Sequence, residues 1–301
     1  MGFYNLDTLK EDARRHGVPV LNPDINASVE KCIVASSGLN CMNEPTDHNS
    51  PSFEEALRIG LLNVSGIGKA AARTIVEARQ RDGRYTSLGD TMRRTGLQRR
   101  SIENLVLAGA LDSLTSDRRS ALWEVGLRHR PTSVALSASN GANTYTNLPR
   151  QQSLELPVDQ DMASLRPMTN WEKMAGEYQI MGLYPKGHLM EHIRPYLSRD
   201  ILPSDELPHI EEGMDVWVAG LVIRRQQPLG KTVFITLEDE FGHIPLLVWP
   251  KVYARYRLVL REPVLKVRGK VTRRERTLNI AITYAESLRT LCTTPRTKDW
   301  V

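Results

Sequence analysis

Apolar positions along this chain change their period once. Over the first 130 residues they recur at helical spacing and predict helices at 5–16, 52–62, 69–81, 98–110 and 118–127. Asn5 is placed to cap the first, and Pro19 and Pro23 exclude a long helix just behind it. Ser52 opens the second, with Phe53, Ala56, Leu57 and Gly60 at helical spacing, and this half reads as entirely helical. From 131 to 153 no period survives. Pro131, Ser133, Ser137, Ser139, Asn140, Gly141 and Asn143 read as a linker or loop. Helix returns at 170–181 and 188–196, and Pro203 and Pro208 close that connector. Beyond Gly213 the period becomes two, with strands expected at 216–223, 232–238, 243–248, 264–271 and 277–284 and a helix from Pro250 to about 260.

Five strands with one helix between the third and fourth is the pattern of an OB-fold, a small barrel that binds single strands or oligosaccharides on its strand 2–3 face. The expected class is thus multidomain α and β: an all-α helix-hairpin-helix region, then a helical connector and a five-stranded OB-fold barrel. Boundaries follow at 1–50, 51–130, 131–212, 213–291 and a tail at 292–301.

At 301 residues the chain is too long for one small domain, and 41% hydrophobic with 25% charged residues excludes global disorder. No apolar run reaches the roughly 18 residues of a membrane span, and the N-terminus leads into Asp7, Lys10, Glu11 and Asp12 instead of a signal core. A soluble, cytoplasmic protein is expected. Cys32, Cys41 and Cys292 form no CxxC pair and no disulfide framework.

Charge narrows the search. The net +5 conceals −4 over residues 1–60, +6 over 61–130, −5 over 131–212 and +8 over 213–301. Basic blocks steer toward polyanions, so function is sought in the second and fourth. In the second, Val64-Ser65-Gly66-Ile67-Gly68-Lys69-Ala70-Ala71-Ala72 sits between helices, where two glycines permit a tight hairpin whose N–H groups approach a phosphate. Gly66, Gly68, Lys69 and Arg73 are its DNA-binding candidates, against the plainer reading of an inter-helix turn. A dinucleotide fingerprint, GxGxxA, fails because a helix precedes it. A second hairpin is expected around Gly96, with Arg93, Arg94, Arg99 and Arg100 as phosphate contacts or a solvated face.

In the barrel, Lys266, Arg268 and Lys270 share one face of strand four, with Leu265, Val267 and Val271 on the other. Strand two divides into Val233, Ile235 and Leu237 against Thr232, Phe234 and Thr236, which makes Phe234 a stacking platform or a barrel plug. Trp217 and Trp249 are expected in the core. Three further matches fail on context. Gly230-Lys231-Thr232 is followed by a strand where a Walker loop needs a helix. His188-Leu189-Met190-Glu191-His192 fits an inverted zincin pattern without a distal ligand. Asp159-Gln160-Asp161 and Glu238-Asp239-Glu240 lack the rigid strand that aims two carboxylates at magnesium.

Nearly the whole chain resembles bacterial C-family DNA polymerases. The likeness is carried by Asp12-Ala13-Arg14-Arg15-His16-Gly17-Val18, Pro23-Asp24-Ile25-Asn26, Ala108-Gly109-Ala110-Leu111-Asp112 and Asp117-Arg118-Arg119-Ser120-Ala121-Leu122-Trp123. Val218-Ala219-Gly220-Leu221-Val222-Ile223, Thr236-Leu237-Glu238-Asp239-Glu240 and Val248-Trp249-Pro250 most resemble the error-prone, translesion branch. The resemblance implies a C-terminal third: residues 1–50 as the end of the fingers, hairpins on duplex and a barrel on single-stranded template. The PHP and palm domains have no counterpart, so no catalytic residue and no cofactor are assigned, Mg²⁺ belonging to the absent palm. DNA is the implied partner, with the sliding clamp or a translesion adaptor as further ones, and no membrane. The 226–231 loop looks about two residues shorter than the family's usual one, which puts any DNA contact by that loop in doubt. Two rivals remain: an adaptor whose barrel binds protein, and a hydrolase using His188, Glu191 and His192.

Overall fold

The computed structural model describes residues 6–36, 55–129, 163–227, 232–274, 277–288 and 298–300. The expected linker at 131–153, the Asp159–Asp161 pair, and Gly230 with Lys231 lie outside these residues. The chain divides into two compact units: Met1–Asn22, Ile33–Ile59 and Asn170–Val301 in one, Pro23–Cys32 and Gly60–Thr169 in the other. Among the described residues, no helix is long and apolar enough to cross a membrane.

The first unit opens with helix α1, Leu6–Arg15, followed by strands β1, Val20–Leu21, β2, Ile33–Ser36, and β3, Glu55–Arg58, which form a sheet in the order β1-β3-β2. This corrects the expected helix at 52–62 and the all-helical reading of this half. Leu57 and Arg58 pair with Val20 and Leu21 in parallel, and Ala56 and Arg58 are buried where Glu55 is exposed. Spacing alone could not distinguish that alternation from a helical face. Chain crossing then requires Gly60, because a Cβ there would lie 2.2 Å from the Lys31 carbonyl carbon.

The second unit holds α2, Lys69–Asp82, α3, Leu88–Thr95, α4, Arg99–Leu107, and α5, Arg118–Arg128. Apolar spacing does not predict α3, because much of its buried face is threonine. The Thr91 and Thr95 hydroxyls each donate to the carbonyl one turn back, Ser87 at 3.0 Å and Thr91 at 2.7 Å. Its start is chemically marked: Ser87 Oγ accepts from the Asp90 N–H at 3.1 Å. Segment 23–32 packs with these helices, Ile25 N–H donating to the Ala110 carbonyl and Asn26 bonding both polar groups of the Tyr85 backbone.

The first unit resumes with α6, Asn170–Met181, α7, Leu189–Ile193, and β4, Ile201–Leu202. The barrel follows: β5, Asp215–Gln226, β6, Val233–Glu238, β7, His243–Val248, α8, Pro250–Tyr256, β8, Val264–Arg274, and β9, Thr277–Ser287, with β10, Lys298–Trp300, parallel to the end of β5. Strand order β5-β6-β7-β9-β8 closes through β5–β8 pairing. Val218, Ile235, Leu237, Leu246, Val267 and Ile280 fill the barrel. Met174, Tyr178, Leu189 and Met190 of the connector pack outside it against Ala219 and Leu221, so the connector helices join the barrel's unit.

Charge is buried where α1 meets this assembly. Lys10 Nζ lies 3.1 Å from Asp7, contacts Glu11, and donates to the Gly187 carbonyl at 3.0 Å. Arg14 reaches Glu191 at 2.9 Å, and Arg15 reaches Glu238 of β6 at 2.7 Å. His188 Nδ1 accepts from the Met190 N–H, capping α7, while its Nε2 stands 4.0 Å from Glu238. Burial pushes His188 down to about 3 and Asp7 up to about 6. Burial also pushes Glu238 up, but hydrogen bonding from His243 and the nearby His188 and Arg15 outweigh it and hold the carboxyl below its usual range.

Two stability predictions follow from these packings. His188 folds neutral, so its contribution is complete above pH 6.5 and is lost as pH falls toward 3; Asp7 acts oppositely, losing stability as pH rises from 3.8 through 6. Comparing the native chain with His188→Asn, which keeps a cap acceptor, isolates the histidine. By urea unfolding the native chain should lose about 2 kcal/mol more than the variant between pH 7 and 5. A flat difference refutes the assignment. Arg94 donates to the carbonyls of Ala78, Gly83 and Arg84 and to Asp90, and lies 4.3 Å from the Tyr85 ring centre. Arg94→Ala should therefore cost on the order of 3 kcal/mol in the same assay.

Candidate nucleic-acid interface

The first hairpin is anchored by Val64 and Ile67, both buried, and turned by Gly66 at φ +80°. Gly68 is the N-cap of α2, with extended backbone at φ −83°, no side-chain acceptor, and nothing within 4 Å of where a Cβ would stand. The first turn of α2 holds no acid. Its leading N–H groups have no intrahelical acceptor, and the helix dipole adds partial positive charge there. This is the local chemistry of a phosphate contact. Lys69 is exposed beside it, whereas Arg73 pairs with Glu30 at 3.1 Å.

Thirty residues on, the pattern repeats. Gly96 at φ +57° ends α3, and Gln98 is the extended N-cap of α4, again without a side-chain acceptor. The four arginines here separate by role. Arg93 pairs with Asp90 at 2.9 Å, Arg99 with Glu103 at 2.7 Å, and Arg94 is spent on backbone carbonyls. Arg94 is thus corrected from phosphate contact to structural brace: only 10% of its side chain is exposed. Arg100 is exposed and meets no partner among the described residues.

The barrel residues divide between two sides. Phe234 is 40% exposed and stands between Gln226 of β5 and Leu247 of β7; one step along, Thr236 stands between Arg224 and Pro245. Directly opposed residues share a face, so these six form one surface. Arg224 is its exposed cation; the alternation of Arg224 with Arg225, which turns to the Leu260 and Glu262 carbonyls, was the available signal. Trp249 is 51% exposed, not in the core, because it caps α8 at the end of β7.

Lys266, Arg268 and Lys270 do line one face of β8, but β8 pairs with the first half of β5 and with β9, away from Phe234. Phe234 and the stripe therefore lie on different strand pairings of the barrel and do not share a surface. Lys266 pairs with Glu286 at 2.8 Å and Arg268 with Asp215 at 3.3 Å. Both cations also approach the half-buried Trp217 ring, at 4.7 and 6.0 Å from its centre. Tyr284 meets Trp217 and Tyr256 edge-on, each at 5.6 Å. The Lys266 hydrogen bond holds the Glu286 carboxyl below its ordinary range.

The carboxylate run at 238–240 does not fit a metal. Glu238 serves Arg15 and His243, Asp239 accepts from Ser204, Phe241 and Gly242, and Glu240 pairs with Arg194. The described residues contain no group of three side chains suited to hold an ion. His188 and His192 do not converge on a ligand position either: one caps α7 and the other packs against Trp171 and Tyr184.

Residues 17–121 match the helix-hairpin-helix motif family, and 216–288 match the OB-fold nucleic acid binding domain. The error-prone DNA polymerase of Symbiobacterium thermophilum is 34% identical over 94% of this chain, which covers 28% of that protein. That of Anaeromyxobacter sp. (strain K) is 35% identical over 94% of this chain and 23% of its own length. The Pseudomonas fluorescens enzyme is 36% identical over 89% of this chain and 24% of its own length. The chain spans about a quarter of the length of these relatives. With helix-hairpin-helix and OB-fold regions in place, the chain is a sequence relative of part of the error-prone DNA polymerases.

Proposed function

We propose that this chain is a DNA-holding, non-catalytic portion of an error-prone, translesion polymerase. The first hairpin takes a duplex phosphate, and the β5–β6–β7 face of the barrel takes a single strand. The observation that carries the reading is the uncapped, side-chain-free N-cap at Gly68 behind the positive-φ Gly66, within the residues that match the helix-hairpin-helix family. Backbone N–H groups aimed at phosphate give grip without sequence readout. Cation contacts there come from Lys69 and Arg100, whose charges are not spent internally.

Fluorescence titration of duplex and single-stranded DNA at several salt concentrations tests both halves. Gly68→Val suits the backbone at φ −83° and has open space, so it should fold normally. It should nevertheless weaken duplex binding about tenfold whatever the sequence, because the branched side chain shields the N–H groups. Arg100→Ala should instead make the log K against log salt slope shallower by about 0.9. A folded Gly68→Val with native duplex affinity would make the hairpin a plain turn.

On the barrel, Phe234→Ala should lose roughly 1–3 kcal/mol of single-strand binding with the salt slope unchanged. Lys266→Ala with Arg268→Ala should leave single-strand affinity near native, since both cations are paired and stand on the other side of the barrel. The opposite ranking would move the strand to the β8 face.

A further inference from the structure

Helix α4 reaches across to the first hairpin. Asn104, 8% exposed, donates from Nδ2 to the Ser65 carbonyl at 2.7 Å, and Ser101 Oγ donates to the Gly66 carbonyl at 3.2 Å. We infer that Asn104, assisted by Ser101, is a positioning residue that aims the Gly66 N–H at the duplex phosphate; the inference rests on the duplex reading above.

A trans peptide is planar, so the carbonyl of one residue and the N–H of the next point in opposite directions. Holding the Ser65 carbonyl against α4 therefore turns the Gly66 N–H away from α4. That N–H meets no acceptor among the described residues, and Gly66 is exposed. Glycine at φ +80° has little of its own to hold this peptide in one orientation. Were the 65–66 peptide to rotate, it would present a carbonyl oxygen to the phosphate, reversing attraction into repulsion. A fixed peptide removes that ordering cost before DNA arrives.

The hairpin fold itself does not require this brace. At the positions thirty residues earlier, α2 carries Ala71 and Thr74. Thr74 donates within its own helix, to the Ala70 carbonyl at 3.0 Å. The second hairpin forms nonetheless, its Gly96 N–H held by the Met92 carbonyl at 3.0 Å. The brace is one-directional and belongs to the hairpin that has glycine at the N-cap.

The test titrates labelled duplex into the full chain and its variants Asn104→Leu, Ser101→Ala and Gly68→Val at several salt concentrations, with thermal melting and amide spectra of each. Asn104→Leu keeps the bulk and removes the donor. It should weaken duplex binding about five- to tenfold at unchanged salt slope and unchanged single-strand affinity. The Gly66 amide resonance should shift on duplex addition in the native chain and not in this variant, a readout that loss of stability alone would not produce. Native affinity for Asn104→Leu beside weakened Gly68→Val overturns the brace and keeps the hairpin. Native affinity for both variants overturns the duplex reading and the brace with it. If Asn104→Leu melts early, Ser101→Ala decides by the same comparison.

Discussion

Every peptide carbonyl that leaves a helix or strand must find a donor or stay in water, and this chain answers that demand with side-chain cations and amides. Arg94 closes the turn after α2 by bonding the Ala78, Gly83 and Arg84 carbonyls. Arg79 holds Ile25, Arg118 holds Leu107, Arg58 holds Asn22, and Lys10 holds Gly187. In the barrel Arg225 takes two carbonyls beside the short helix after α8, and Arg273 takes those of Pro208 and Ile210. A guanidinium suits this work, offering five donors in a rigid fork. Irregular backbone can then run close to regular elements without orphaned oxygens.

This demand changes what basic charge means. Block by block, the sequence directs attention to 61–130 and 213–301, but within a block it cannot say which cation is spent. Arg94 and Arg100 lie six residues apart and look alike in the sequence; one is a structural tie and the other meets no partner among the described residues. Lys266 and Arg268 alternate as expected, yet their acids, Glu286 and Asp215, come from neighbouring strands that only the register brings opposite. Pairing across a sheet is a long-range property, and periodicity is local.

The same distinction separates legible from illegible parts of the fold. The barrel strands are legible because large apolar residues alternate with polar ones, and one face is buried throughout. Helix α3 escapes because threonines that bond their own backbone form much of its buried face. Helix α1 is located correctly, but nothing local in the sequence marks Asp7, Lys10 and Glu11 as buried. That burial is compensated by Lys10, which meets Asp7 and Glu11 and donates to the Gly187 carbonyl 177 positions away. Gly66 and Gly68 look alike in the sequence, but their backbones differ: Gly66 has a positive φ, whereas Gly68 is extended at φ −83° with open space where a Cβ would stand.

On the proposed reading, backbone and aromatic groups act beside the exposed cations Lys69, Arg100 and Arg224. At the first hairpin the proposed grip comes from peptide N–H groups, which carry no counterions to release, joined by Lys69 and Arg100. On the barrel, Phe234 lies among Gln226, Leu247 and Thr236, with Arg224 as the nearby cation, so the proposed strand contact there is mainly stacking. Trp217 is the contrasting case: its ring already has Lys266 and Arg268 beside it and Tyr284 at its edge, leaving less surface for a base. A nucleic-acid site is more economically recognised by unsatisfied groups than by charged ones. By that criterion the Gly66 and Gly68 N–H groups, which meet no acceptor among the described residues, and the 40% exposed ring of Phe234 stand out from the forty lysines and arginines of the chain.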